Sequence, residues 1–202
     1  MTYPAVSAPY GLEAINSVDG KPYAGAIRQI PITAAYGTAI YNGDIVKLVT
    51  GGTVEKSAIG ANVEAQPTLG VFVGCQYVNS SSQTVQAQYY PTGVNSAIAY
   101  VVLDPQAAFK VAVTTTGNTS VVTSVTRAVV GTNMAIATGS GSNTTGNSGL
   151  SVVSGSADNA ATLPVRVIDV VPETAVNATN FREVIVKMNQ PQLEVTTGNN
   201  PA

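Results

Sequence analysis

The chain has 202 residues; 45% are apolar, only 10% are charged, the formal net charge is −2, and histidine is absent. That length suits one domain, or one domain with an extension, and is ample for a real core. The charge balance leaves no basic field for nucleic acid, and no apolar stretch is long enough to span a bilayer. Thr, Ser, Asn, Gln and Gly take the place of the missing ions. Such surfaces lie against other protein without desolvating many charges.

Residues 1–26 differ in character from the rest of the chain. Pro4, Pro9 and Pro22, with Gly11, Gly20 and Gly25, interrupt any long regular element, yet Tyr3, Tyr10 and Tyr23 are interspersed. A disordered tail is seldom so aromatic. The segment reads as an extended N-terminal arm, and two readings stay open: it docks its tyrosines on another molecule, or it wraps over its own domain. On the first reading Tyr3, Tyr10, Tyr23 and the nearby Arg28 are the candidate interface residues. The opening "MTYPAVSAPYG" has neither a basic start nor an apolar core, so no signal peptide is expected, and the protein is expected to be soluble and made in the cytoplasm.

From residue 27 alternation becomes insistent, and strands are expected near 27–33, 37–41, 44–49, 53–57 and 69–78. Within "YNGDIVKLVTGGTVEKSA" a hairpin is predicted. A loop of only Gly51-Gly52 would set Lys47 opposite Lys56, an unfavourable like-charge pair. A Thr50-Gly51-Gly52 loop sets Lys47 against Glu55 and Leu48 against Val54, with Gly52 free to adopt positive φ. The second register is the expected one. In "LGVFVGCQYV", strict alternation would put Leu69, Val71, Val73, Cys75 and Tyr77 on one face. Cys75, the single cysteine, forms no intrachain disulfide, and without histidine to activate it a buried structural thiol is expected.

"QTVQAQYY" continues the alternation, and further strands are expected near 97–103, 109–113, 134–138, 150–154, 163–171 and 182–188. In the last, Val184, Val186 and Met188 face one way while Glu183 and Lys187 face the other. Helix is scarce: "TSVTRAVVGTNMA" has room for a turn or two, ended by Gly131. The low-complexity stretch 139–149, "GSGSNTTGNSG", reads as a flexible loop or spacer. The expected fold is all-β, an antiparallel β-barrel or β-sandwich carrying an extended N-terminal arm, with a body over 27–193 and a flexible tail over 194–202.

Catalytic chemistry is hard to assemble from this chain. Without histidine the commonest general base, metal ligand and triad partner are missing. The 139–149 loop lacks the Gly-Lys-Ser/Thr ending of a phosphate cradle. Carboxylates are scattered. Asp104 precedes Pro105 in a turn, Asp44 opens a strand, and Asp169 interrupts "VRVIDVV" with Arg166 as a possible partner. No catalytic, metal or cofactor residue is assigned.

The segments "GLEAINSVDGKPYAGAIRQIPI", "YNGDIVKLVTGG", "LGVFVGCQY", "QYYPTG", "DPQAAFKV", "TGSGSNTTGNSGL", "ATLPVRVIDVV" and "VIVKMNQPQL", in this order, resemble a family of tailed-bacteriophage virion structural proteins. The resemblance runs from about residue 11 to residue 193. It implies a capsid decoration, or cement, protein on the outside of the shell, bound to the major capsid protein and often trimeric. It supplies no catalytic residues and implies no cofactor, nucleic acid or membrane. Competing readings are another virion component (tail tube, fibre or portal-associated), a glycan-binding module, and a carboxylate-dependent hydrolase.

Overall fold

The computed structural model describes residues 6–23, 25–57, 68–115, 120–122, 125–171, 181–189 and 192–193. Within them the chain is all-β, and its only helical pieces are single 3-10 turns at Arg127–Val129 and Ser154–Ser156. The β-branched alternation accounts for this, since such side chains pack well on a pleated surface and lose χ1 freedom in a helix.

One group of strands lies within residues 27–102: β2 (Ile27–Pro31), β3 (Ile40–Tyr41), β4 (Ile45–Leu48), β5 (Val54–Lys56), β6 (Gly70–Val78), β7 (Thr84–Ala87), β8 (Tyr89–Tyr90) and β9 (Ala97–Val102). The larger sheet runs β2-β9-β6-β4-β5, with β7 also on β6, and β3 pairs with β8. A parallel bridge from Ile32 to Val54 joins its two ends, so the sheet curls into a nearly closed barrel. Val46, Val54, Phe72, Cys75, Ala99 and Val101 fill it, together with Ile40 and Tyr90 of the short ladder. The buried Tyr90 phenol is satisfied by the carbonyls of Tyr36 (3.2 Å) and Val94 (3.1 Å).

The second sheet takes its strands from both sides of that segment: β1 (Glu13–Ser17), then β10 (Ala107–Thr114), β11 (Asn133–Met134), β12 (Ile136–Ala137), β13 (Ser151–Val153), β14 (Val165–Val170) and β15 (Arg182–Met188). Its order is β11-β14-β15-β10-β13-β12, with β1 antiparallel to β10. Phe109, Val111, Val184, Val186 and Met188 point to one face, as the alternation in "REVIVKM" requires, and pack with Ile45, Val71 and Val102 from the outer wall of the barrel. Barrel and sheet thus share a core. Each large side chain fully buried there stabilises by roughly 1.5–3 kcal/mol.

The hairpin adopts the expected register, with Lys47 opposite Glu55, Leu48 opposite Val54, and Gly52 at φ 75°. Elsewhere the structure departs from the sequence reading. Residues 13–17, assigned to the arm, form β1, and Leu12 lies in the shared core. Gly11 (φ 88°) packs backbone to backbone on Gly43. The boundary at residue 26 therefore does not separate an arm from a body. The second correction concerns β6. Its register shifts between Phe72 and Gly74, so Val71 faces the shared core while Phe72 and Cys75 face the barrel interior. A bulge inserts one residue and flips the alternation beyond it. Val71 and Val73 accordingly do not share a face with Cys75 and Tyr77.

The stretch 139–149 is a packed loop and no spacer. Asn42 N–H donates to Gly146 O (2.9 Å), Ser148 N–H to Asn42 O (2.9 Å), and Gln88 Nε2 to Asn147 Oδ1 (2.7 Å). Gly141 lies against the Tyr41 ring, where a Cβ would come within 2.2 Å of it. Finally, Asp169 pairs with Arg127 at 2.7 Å, while Arg166 donates through Nε to Asn133 Oδ1 at 2.9 Å. A second register shift, between Val167 and Asp169, leaves Arg166 and Asp169 on one face, opposite Lys187 and Ile185, but each takes a different partner.

Candidate functional site

A cleft of about 610 Å³ opens where the N-terminal segment crosses from the outer face of the second sheet to the barrel wall. Tyr10, Glu13, Tyr23, Lys110 and Glu183 supply its polar groups, and Ile27, Val73 and Val102 its apolar ones. Strand geometry fixes the polar set. Glu13 of β1 lies directly opposite Lys110 of β10, and Glu183 of β15 lies opposite Ala112 on the same face. Lys110 Nζ is 3.1 Å from Glu13, 3.9 Å from Glu183, and 5.8 Å from the Tyr10 ring centroid. Glu183 is almost fully buried and accepts a hydrogen bond from the Tyr10 hydroxyl.

Two carboxylates around one ammonium is an arrangement that scattered sequence positions gave no hint of, because Tyr10 and Glu183 are 173 residues apart. Its chemistry is that of a clasp. Burial first, then the hydrogen bond to Glu183 and that group's charge, raise the Tyr10 pKa, so the phenol keeps its proton and remains a donor. Glu183 accepts from that donor and lies 3.9 Å from Lys110 Nζ, so it ties the N-terminal segment to the sheet. The set pins residues 6–10 over β10 and β15, an attachment continued by Phe181 N–H donating to Val6 O at 2.9 Å.

Of the candidate interface residues, Tyr3 lies outside the described residues. Tyr10 is turned inward to Glu183, and Tyr23 donates to Ala26 O at 3.0 Å and packs against the shared core, where burial and the charge of Asp104 raise its pKa. Arg28 stands exposed on β2, opposite Val101. The structure brings Tyr10 and Tyr23 to one cleft and does not bring Arg28 to its lining. The contacts that Tyr10 and Tyr23 make in the structure are with their own chain.

Two further groups bear on chemistry. Asp44, 1% exposed, accepts from Tyr41 N–H (2.8 Å) and Ser148 Oγ (2.6 Å) and pairs with Lys56 Nζ at 2.8 Å. It is a buried joint between the hairpin and the 139–149 loop. Cys75 is fully buried, and burial pushes its thiol up to about 12, so it carries almost no thiolate near neutrality. Among the described residues no group of His, Cys, Asp and Glu is placed to hold a metal ion, and no helix is long and apolar enough to cross a membrane. Comparison with protein-family models, curated proteins and solved structures returns no match.

Proposed function

We propose that the chain is a structural virion protein that decorates and stabilises a tailed-phage capsid by binding the major capsid protein, as an oligomer on the exterior of the shell. The observation that carries this reading is where the resembling segments fall. "GLEAINS" ends in β1, "GDIVKL" enters β4, "LGVFVGCQY" is β6, "QAAFKV" is β10, "PVRVIDVV" is β14 and "VIVKM" is β15. "TGSGSNTTGNSGL" is the loop that packs on Asn42 and Asp44. The resemblance is thus concentrated in the framework, which fits a protein whose product is mechanical. A rigid all-β body with few ions loses little hydration on docking, and many copies on one shell sum small interface energies into large avidity.

The test is stoichiometry and occupancy. Purified particles that contain the protein should hold it at a copy number near that of the capsid protein. Particles assembled without it should bind the recombinant chain and then resist heat better. A handful of copies per particle would assign it to the tail or portal instead, and binding to a glycan array with no binding to shells would overturn the virion role. Truncating residues 1–26 is unsuitable as a docking test, because it removes β1 and Leu12 and should unfold the second sheet.

A further inference from the structure

On the second sheet one row of directly opposed residues crosses β11, β14 and β15: Asn133, Arg166 and Lys187. The neighbouring row, Met134, Val165 and Met188, points into the core, so this one lies on the outer face. Arg166 and Lys187 are like charges set against each other, an arrangement that destabilises a sheet. The chain has eleven acidic residues against nine basic ones, and it gives this pair none of them among the described residues. Lys21, Lys47, Lys56, Lys110 and Arg127, by contrast, each have a carboxylate at 3.9 Å or less. The acidic residues that flank the row are committed elsewhere. Asp158, bridged to Asn133, accepts from the Asn159 and Ala160 N–H groups at 2.6 and 3.0 Å. Asp169, on the same face of β14, holds Arg127 at 2.7 Å.

Arg166 is also held in place. Its Nε donates to Asn133 Oδ1 at 2.9 Å, and Asn133 is only 2% exposed. That amide is itself fixed, accepting from Asn189 Nδ2 at 3.0 Å and donating to Ala160 O at 2.9 Å. Arg166 is nevertheless exposed, and its two Nη groups have no partner among the described residues. We propose that Arg166 and Lys187 form a binding site for a carboxylate, supplied by an aspartate or glutamate of a partner protein.

Charge complementarity selects an anion, and donor geometry selects which one. With Nε anchored, the Nη1 and Nη2 donors remain in one plane and match the two oxygens of a carboxylate, while the ammonium adds a second charge. Phosphate sites draw on backbone N–H groups from a helix N-terminus or a nest. Here the backbones of β14 and β15 are paired within the sheet and offer none on this face. Neither residue lines the cleft at Tyr10; both stand on a strand face, where a partner surface brings its carboxylate and covers the pair together. Excluding water in this way strengthens the attraction. Glu64, Glu173 and Glu194 lie outside the described residues, and they are the in-chain competitors for the same role. The site does not depend on the virion reading.

The full chain, followed by NMR at constant ionic strength, should bind the probe acetyl-Ala-Glu-Ala-amide with a dissociation constant of roughly 1–10 mM. Saturable shifts are expected at the Arg166 Nε–H and the Lys187 amide. The glutamine analogue of the probe should give none, and inorganic phosphate should bind more weakly by about threefold or more. Lys187→Gln should weaken binding about tenfold and raise the melting temperature by about 1–3 °C, because it removes the like-charge pair. Should that variant melt early, Arg166→Lys carries the test: it keeps the charge, loses the fork, and should weaken binding by about fivefold or more. A wild-type chain that does not bind the probe overturns the proposal, as does binding that survives both variants. Phosphate bound as tightly as the probe overturns the choice of carboxylate, and free glutarate bound more tightly than the probe assigns the site to a small acid instead. Binding that appears only after Glu64, Glu173 and Glu194 are changed to glutamine shows that the chain's own carboxylate is the occupant, and overturns the proposal.

Discussion

The hairpin at residues 45–56 and the loop at 139–149 are both punctuated by glycine and small polar residues, yet glycine serves opposite ends in them. In the hairpin Gly51 and Gly52 have positive φ (92° and 75°), and a Cβ on either would meet nothing within 4 Å. There glycine supplies conformational freedom. In the loop a Cβ on Gly149 would lie 2.5 Å from Ser140 O, and one on Gly141 would enter the Tyr41 ring. There glycine supplies room. Low complexity in a sequence therefore does not distinguish a stretch that moves from one packed too tightly to bear a side chain.

Substitutions can break that contrast or sharpen it. Gly149→Ala should have the largest effect, a loss of about 3 kcal/mol, because the obstructing atoms are backbone and cannot rotate away. Urea unfolding would measure it, and a near-neutral result would return the loop to the status of a spacer. Next is Asp44→Ala, which unties the two regions from each other. Leaving Lys56, Ser148 and the Tyr41 amide without their acceptor should cost about 2–3 kcal/mol. A double-mutant cycle with Ser148→Ala should be non-additive by about 1 kcal/mol; strict additivity would mean that the joint is not shared.

Gly52→Val should cost about 1–2 kcal/mol through left-handed strain alone, more than the same change at an ordinary surface site. Lys47→Ala is the smallest. Its partner Glu55 is 3.9 Å away and both are part-exposed, so under about 0.5 kcal/mol is expected. A larger loss in chemical denaturation would show that the pair, and not the loop, holds the register.

How much the sequence disclosed depends on the distance over which each element is decided. The β4–β5 register rests on residues within one hairpin, and like-charge avoidance selected it. The strand at 182–188 announced itself through strict alternation, and its inward face was legible residue by residue. β1 was missed because prolines and glycines flank it on both sides and its partner, β10, begins at Ala107. Cys75 is buried as expected, but Val71 and Val73 lie on the other face, since nothing local marks the shift between Phe72 and Gly74. For the cleft, the sequence singled out Tyr10 and Tyr23 by type. It was silent on Lys110 and Glu183, which become partners of Tyr10 only after β10 and β15 are paired.

The nesting of the barrel between β1 and β10 has a consequence for the order of events at the ribosome. Every barrel strand lies between residues 27 and 102, so this unit can close while later residues are still being translated. β1, already emerged, must wait for β10, a delay of about 5–20 s at usual elongation rates. From completion of the barrel at Val102 until the second sheet ends at Met188, Ile45, Val71 and Val102 lack their full cover. The nascent chain is then at its stickiest. Slowing translation just before residue 107 should prolong that window and raise aggregation, whereas slowing it after Met188 should not.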